Sequence, residues 1–188
     1  MPQTTTASLS REQRISAVCA GGCRAIAVIV PVAVAGLWAV GSWDLLALVR
    51  LIPPDILYDM QTGGPPELWQ RVTGAAICLV PALLLSYGLL RARRSLAAFV
   101  RGDFFGADVV GGLRGYAAWT FWAAVAGVIS VPVLSVAISF ANPPGHKELS
   151  LDLSGAQVLN LLAAAILWVI ASAMARAASL ARENEQFV

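Results

Sequence analysis

The chain has 188 residues, of which 58% are hydrophobic and 13% are charged, and its formal net charge at pH 7 is +2. A soluble domain usually carries about 25% charged residues, so this composition excludes an ordinary soluble protein. The net charge is too small to indicate direct binding to nucleic acid. The positions of the basic residues are better explained by membrane topology.

Four stretches of the sequence contain no acidic or basic side chain: Ala25–Trp43, Val72–Leu90, Gly115–Gly145 and Leu153–Ala175. Each reaches the roughly 18–20 residues that a helix needs to cross a hydrocarbon core about 30 Å thick. They predict an all-α fold, an integral membrane four-helix transmembrane bundle that forms a single domain over residues 1–188. The predicted spans are residues 25–43, 72–90, 116–140 and 154–175.

A cleaved signal peptide is an alternative interpretation of the first stretch. A signal peptide has an apolar region of about 7–15 residues behind a short basic start. Here 24 residues precede a longer apolar stretch, and the sequence AVGSW offers a poor cleavage site. We therefore expect the first stretch to be a membrane span.

The distribution of Lys and Arg predicts the orientation, because positive residues beside short membrane loops stay on the cytoplasmic side. With a cytoplasmic N-terminus, ten of the 13 basic residues lie inside and three, Arg50, Arg71 and Lys147, lie outside. We therefore expect cytoplasmic N- and C-termini in a multi-pass protein of the cell inner (plasma) membrane. The expected segments are a cytoplasmic loop at 91–114, a cytoplasmic tail at 176–188, and outer loops at 44–71 and 142–153.

The first three predicted spans each contain an internal proline: Pro31, Pro81 and Pro132. Proline removes a backbone hydrogen bond and kinks a helix, but neighbouring helices make this tolerable in a membrane. The prolines have two interpretations, kinks that serve packing and hinges that serve gating. Before the first span, Ser10 and Gln13 form the pattern of a capping box, which predicts a short leading helix.

The fourth span also begins with a capping-box pattern, formed by Ser154 and Gln157. The chain leaves this span as ASAMARAASLARENEQFV. Its apolar and small residues recur at helical spacing, whereas its charged residues fall elsewhere. The last helix is therefore predicted to continue beyond the membrane as an amphipathic tail.

The connector between the second and third spans, RGDFFGADVVGGLRGYAAW, is rich in glycine. It lacks the lysine and Ser/Thr of a phosphate-binding P-loop. It also lies between membrane helices rather than in a βαβ unit, which excludes a dinucleotide-binding fold. We expect Gly102 to stop one helix and Phe104 and Phe105 to return to the apolar layer. A short helix from Asp108 to Arg114 follows, with the aspartate at its positive end.

Residues for metal, cofactor or catalytic chemistry are scarce. The single histidine, His146, lies in an outer loop, and no span contains a histidine that could bind haem. Cys19 and Cys23 lie one helical turn apart, and with Cys78 they are interpreted as packing residues, with acylation or redox activity of the first two as the alternative. No paired carboxylates or serine–histidine arrangement lies at membrane depth. We therefore expect no enzyme, no cofactor and no metal.

Two stretches on the expected cytoplasmic side carry a resemblance to a known family. They are FVRGDFFGADVVGGLRGYAAW before the third span and ASLARENEQFV in the tail. With the four spans, they resemble the bacterial four-span membrane proteins of domain of unknown function family 2975, which includes the YoaS-like proteins. On this pattern the motif residues are Gly102, Phe105, Leu113 and Arg114 in the inner loop, and Leu180, Glu183 and Asn184 in the tail.

The resemblance implies a function in regulation, because some members are encoded beside a small helix-turn-helix regulator. We therefore expect a membrane-embedded regulatory or interaction protein that docks a cytoplasmic partner through its inner loop and tail. The expected partners are the lipid bilayer, a cytoplasmic regulator protein and further copies of the chain. An oligomeric small transporter or channel subunit is the main alternative, and structural scaffolding of a larger complex is a third.

Overall fold

The computed structural model describes residues 11–41, 67–101, 106–139 and 155–185. These residues form four long helices: α1 (Arg11–Val40), α2 (Leu68–Val100), α3 (Ala107–Ser139) and α4 (Gly155–Glu185). Each helix is long and apolar enough to cross a membrane. The predicted all-α fold with four membrane helices is confirmed, and the architecture is that of a multi-pass membrane protein.

Helices that are adjacent in the chain pack against each other in alternating directions. Trp38, near the end of α1, packs on Gly74, near the start of α2. Ser95, near the end of α2, is hydrogen-bonded to Val109, near the start of α3. The first part of α3 in turn meets the middle of α4. Thus α1 packs on α2, α2 on α3, and α3 on α4. Any other pair of the described helices makes marginal contact at most.

This up-and-down arrangement brings the start of α1, the end of α2, the start of α3 and the end of α4 to one end of the bundle. We call it the arginine-rich end, because the first half of α1, the end of α2, the start of α3 and the last turns of α4 contain nine of the 13 basic residues, and Arg101, directly after α2, is a tenth. The opposite end contains Arg71, in the first turn of α2. Just before that turn, the backbone N–H of Glu67 donates a hydrogen bond to Gln70 Oε1 at 2.8 Å. The sequence did not predict that α2 begins at this point.

Helix bounds differ from the predicted spans mainly at the arginine-rich end. The second helix continues past residue 90 to Val100, and the helix predicted over 108–114 forms the first turns of α3, continuous with the third span. The fourth helix continues to Glu185, as predicted for the tail. At the opposite end α1 stops at Val40, before the predicted limit, because Gly41 adopts the left-handed φ of 72°.

The core of the bundle lies toward the end opposite the arginines. It is a cluster of buried residues from α1, α2 and α3: Val34, Trp38, Cys78, Ala82, Leu134 and Ile138. Trp38 is 1% exposed. A Cβ added at Gly74 would overlap its ring, so only glycine lets α1 and α2 approach this closely.

The remaining helix surface is apolar and faces outward. In the apolar window of α4, 11% of the residues are buried inside the molecule, which makes α4 the most peripheral of the four spans. It packs through small residues, since Ala164 and Ala171 are fully buried. Exposed aliphatic side chains such as Leu159 and Val169 would be unfavourable in water, so lipid is the medium that suits this surface.

Several sequence expectations concern positions outside the described residues. These are the capping boxes at Ser10 and Ser154, the second outer loop with His146, and the first outer loop up to residue 66, whereas residues 68–71 of that predicted loop form the start of α2. Pro31, Pro81 and Pro132 are described, and each lies inside a continuous helix.

Candidate functional site

The arginine-rich ends of α2 and α3 are joined by a close contact. The hydroxyl of Ser95, which is buried, donates to the carbonyl oxygen of Val109 at 2.8 Å. A Cβ added at Gly112 would overlap the Ser95 hydroxyl and would lie 2.8 Å from the carbonyl oxygen of Arg91. Part of the glycine-rich stretch is therefore a helix–helix contact, where a side chain has no room.

An aromatic platform holds the side chain of Arg91. Its Nη2 donates to the hydroxyl of Tyr87 at 2.8 Å, and its guanidinium carbon lies 5.2 Å from the centre of the Tyr87 ring. The Tyr87 ring meets Trp119 of α3 edge-on, with 4.7 Å between ring centres. The alkyl part of Arg91 lies over Gly115. Arginine beside tyrosine and tryptophan is typical of the interface between hydrocarbon and water.

A cavity of about 350 Å³ opens between α2 and α3 beside this platform. We call it the α2–α3 notch, and its lining is Arg91, Arg94, Ala97, Arg101, Asp108, Gly111 and Gly112. Arg101 Nη2 and Asp108 Oδ2 form an ion pair at 3.7 Å, and both side chains are exposed. An exposed ion pair of this kind contributes little to stability. It does place a carboxylate beside the start of α3, where negative charge is favourable.

Arg114 connects α3 to α4. Its guanidinium carbon lies 5.1 Å from the centre of the Trp168 ring. Cation–π contacts at exposed sites contribute about 0.5–1 kcal/mol, and more when water is excluded. Arg114 is exposed, and its neighbour Leu113 is half-buried. The arginine therefore has a structural contact within the bundle and still presents a face to the surroundings.

The structure describes five of the seven predicted docking residues. Leu113 and Arg114 lie on the second turn of α3, whereas Leu180, Glu183 and Asn184 lie on the last turns of α4. The other two, Gly102 and Phe105, lie outside the described residues.

The two groups of predicted docking residues share the arginine-rich end but occupy different parts of it. Leu180 is 12 residues beyond Trp168, which is about 18 Å along the axis of α4. By contrast, the start of α3 at Ala107 is only about 10 Å along its axis from Arg114. The final turns of α4 therefore extend beyond the start of α3.

Sequence reasoning missed the aromatic and hydroxyl partners at this end. The spacing of four residues between Tyr87 and Arg91 is a readable signal, because such residues meet on one helix face. Ser95 and Gly112 meet only because α2 and α3 adopt one particular register. No local pattern of the sequence encodes that register.

A second cavity, of about 410 Å³, lies among all four helices. Its lining is mostly apolar, with Tyr116 and Thr120 from α3 and Asn160 from α4 as polar exceptions. The hydroxyl oxygen of Thr120 is buried and has no hydrogen-bond partner among the described residues. Asn160 carries no charge and lies inside the charge-free stretch Leu153–Ala175, so the charge pattern of the sequence does not single it out.

Metal-binding groups do not converge in the part of the chain that the structure describes. No three His, Cys, Asp or Glu residues there are placed to hold a metal ion. Cys19, Cys23 and Cys78 are free thiols, of which the first is exposed and the last is buried. The expectation that the protein binds no cofactor and no metal stays a prediction.

No protein-family model, curated protein or solved structure matches this chain. The resemblance to domain of unknown function family 2975 is therefore still a hypothesis based on two short motifs and the four spans.

Proposed function

We propose that this chain is a membrane-embedded regulatory or interaction protein, without catalytic activity of its own, that docks a cytoplasmic partner at the arginine-rich end. The partner is a protein of the small helix-turn-helix regulator class, in accordance with the resemblance. The docking residues are those of the two motifs: Gly102, Phe105, Leu113, Arg114, Leu180, Glu183 and Asn184.

The observation that carries this proposal is the length of α4. The charge-free part of α4, residues 155–175, has 21 residues and is about 31 Å long, which already matches the hydrocarbon core. The helix nevertheless continues to Glu185. Residues 176–185 add about 15 Å of helix beyond this part, and they include Arg182, Glu183 and Glu185. A charged helical extension of this kind suits recognition of a soluble protein.

The proposal places the arginine-rich end in the cytoplasm, in the inner membrane of a bacterial cell. The support is the distribution of positive charge, because nine of the 13 basic residues lie on the helix segments that form this end and Arg101 directly follows one of them. A DNA-binding regulator would then reach the final turns of α4 and the start of α3 without crossing the membrane.

The proposal is tested by photocrosslinking in cells that naturally express the chain. The variant Ser179→benzoylphenylalanine places the probe on an exposed position of the α4 extension. We expect a discrete adduct with a soluble DNA-binding protein, identified by mass spectrometry. The adduct should be lost when Leu180→Ala and Glu183→Gln are added.

The matched control is Leu159→benzoylphenylalanine, which places the same probe at the other end of α4, where Leu159 is 66% exposed. This position should give adducts with lipid or membrane neighbours and none with the soluble protein. Adducts of the Ser179 variant with other copies of the chain or with lipid alone would contradict a docking function.

The second cavity, among all four helices, supports a second candidate function, that of an oligomeric small transporter or channel subunit. Thr120 offers a buried hydroxyl without a partner among the described residues, and Asn160 adds an amide to an otherwise apolar lining. Such a lining suits an uncharged solute with one polar group. Flux in liposomes should then fall on Thr120→Val or Asn160→Leu and survive deletion of residues 179–188, whereas docking should show the reverse.

A further inference from the structure

The α2–α3 notch has a positive lining that the contacts within the bundle do not neutralise. It is lined by three arginines and one aspartate. Asp108 pairs with Arg101 at 3.7 Å, and Arg91 is directed onto the Tyr87 ring. Arg94 is exposed and has no ion pair among the described residues. An anion entering the notch would therefore meet at least one arginine that is free to bind it.

The notch lies at the depth of lipid headgroups. The charge-free stretch Val72–Leu90 has 19 residues, so it extends about 28 Å along α2 and fills the hydrocarbon core. Arg91 and Arg94 follow directly. Their side chains are then level with the phosphates of the adjacent membrane leaflet.

An exposed apolar stripe on α2 leads to the notch. Leu83 is 55% exposed, Tyr87 is 42% exposed and Leu90 is 41% exposed. Together with Arg94 they have the spacing i, i+4, i+7 and i+11, which places all four on one face of the helix. A soluble anion would have no use for this stripe. A lipid would use it, because its acyl chain would follow the stripe while its headgroup reaches Arg94.

We propose that the α2–α3 notch binds the phosphate of an anionic phospholipid, with an acyl chain along the stripe formed by Leu83, Tyr87 and Leu90. Arginine binds phosphate through paired charge-assisted hydrogen bonds. Basic pockets between membrane helices are suited to acidic headgroups. The exposed Gly111 leaves one wall open, because no atom of the described residues outside its own helix turn lies within 4 Å of a Cβ added there.

The proposal is tested by native mass spectrometry of the full chain released from detergent, titrated with phosphatidylglycerol or with phosphatidylcholine. We expect phosphatidylglycerol to bind at least tenfold more tightly. The variant Arg94→Gln should weaken its binding about fivefold, the effect of one basic residue at an anionic membrane surface. The matched control is Arg93→Gln, an adjacent exposed arginine that does not line the notch, and it should leave binding unchanged.

Two further variants test whether the lining of the notch forms the binding site. Asp108→Asn removes the one negative side chain of the lining and should strengthen binding of phosphatidylglycerol, a result that misfolding would not produce. Gly111→Leu fills the open wall without changing charge and should weaken binding. Equal losses in Arg93→Gln and Arg94→Gln, or equal binding of the two lipids, would overturn the proposal.

A competition arm separates the lipid from a soluble phosphate. Inorganic phosphate and glycerol phosphate are added at concentrations up to a hundred times that of the lipid. We expect phosphatidylglycerol to stay bound, since the acyl chain contributes to its binding. Full displacement by either soluble anion would show a site for free phosphate and would overturn the assignment to lipid.

Discussion

Gly112 is the residue on which the contact between α2 and α3 depends most directly. In Gly112→Ala, the added methyl would overlap the Ser95 hydroxyl and press on the Arg91 carbonyl oxygen, which belongs to a helix backbone. Overpacking of this kind costs about 1–3 kcal/mol. We expect a lower thermal midpoint of the detergent-solubilised protein, measured by differential scanning fluorimetry. The adjacent variant Gly111→Ala is the control, because its methyl meets none of the described residues within 4 Å. Equal midpoints for the two variants would refute the close approach.

Gly74 likewise permits a close contact between two helices, at the opposite end of the bundle, where it faces the side chain of Trp38. Gly74→Ala would overlap the ring of Trp38, which is 1% exposed. We expect a loss of about 1–3 kcal/mol in the free energy of unfolding, measured by denaturation in mixed micelles. Adding Trp38→Phe should recover part of this loss, because the smaller ring leaves room for the methyl. Gly36→Ala on α1 is the control, and its methyl would meet nothing within 4 Å.

Single residues also show where prediction from sequence ends. Arg114 was singled out on a short motif, and the structure describes its guanidinium over Trp168. The sequence contains both residues but gives no rule that pairs them, because their contact depends on how α3 and α4 are aligned. Gly112 was visible as part of a glycine-rich connector. Its actual environment, inside a helix and against another helix, requires knowing that α3 begins at Ala107.

The α3–α4 pair is the most testable element contact, because one cation–π pair links the two helices. A double-mutant cycle with Arg114→Gln and Trp168→Leu should give a coupling energy of about 0.5–2 kcal/mol in unfolding experiments. The matched cycle pairs Trp168→Leu with Arg176→Gln, an exposed arginine further along α4. That second cycle should be additive within about 0.5 kcal/mol. Additivity in both cycles would contradict the contact.

Helices as elements were largely predictable, and their ends were not. Charge-free windows identify the part of a helix that lies in hydrocarbon, so they located all four spans. They stop at the first charge, although arginine is itself a good helix former. The second helix therefore continues through Arg91, Arg93 and Arg94 to Val100. In α4, apolar residues recur at helical spacing beyond the charge-free stretch, and this periodicity predicted the charged extension.

The molecule as a whole is an open series of helices. Contact follows chain order, and α4 is attached mainly through α3. The consequence is a cavity bordered by all four helices, with Thr120 and Asn160 among apolar side chains. Composition and periodicity predicted a four-helix bundle, but they do not determine which helices touch. That depends on small residues such as Ala164 and Ala171, whose burial becomes visible only in three dimensions.

Docking of a cytoplasmic partner requires that the arginine-rich end faces the cytoplasm. Site-directed labelling tests this in intact cells, on a background in which Cys19→Ser, Cys23→Ser and Cys78→Ala remove the native thiols. Single cysteines are then introduced as Gly155→Cys, at the start of α4, and Ser179→Cys, on its extension.

With a membrane-impermeant maleimide, we predict labelling of the Gly155 variant in intact cells, and labelling of the Ser179 variant only after the membrane is permeabilised. The reverse pattern would invert the topology and contradict docking of a cytoplasmic partner at that end. Labelling of both variants in intact cells would show that α4 does not cross the membrane.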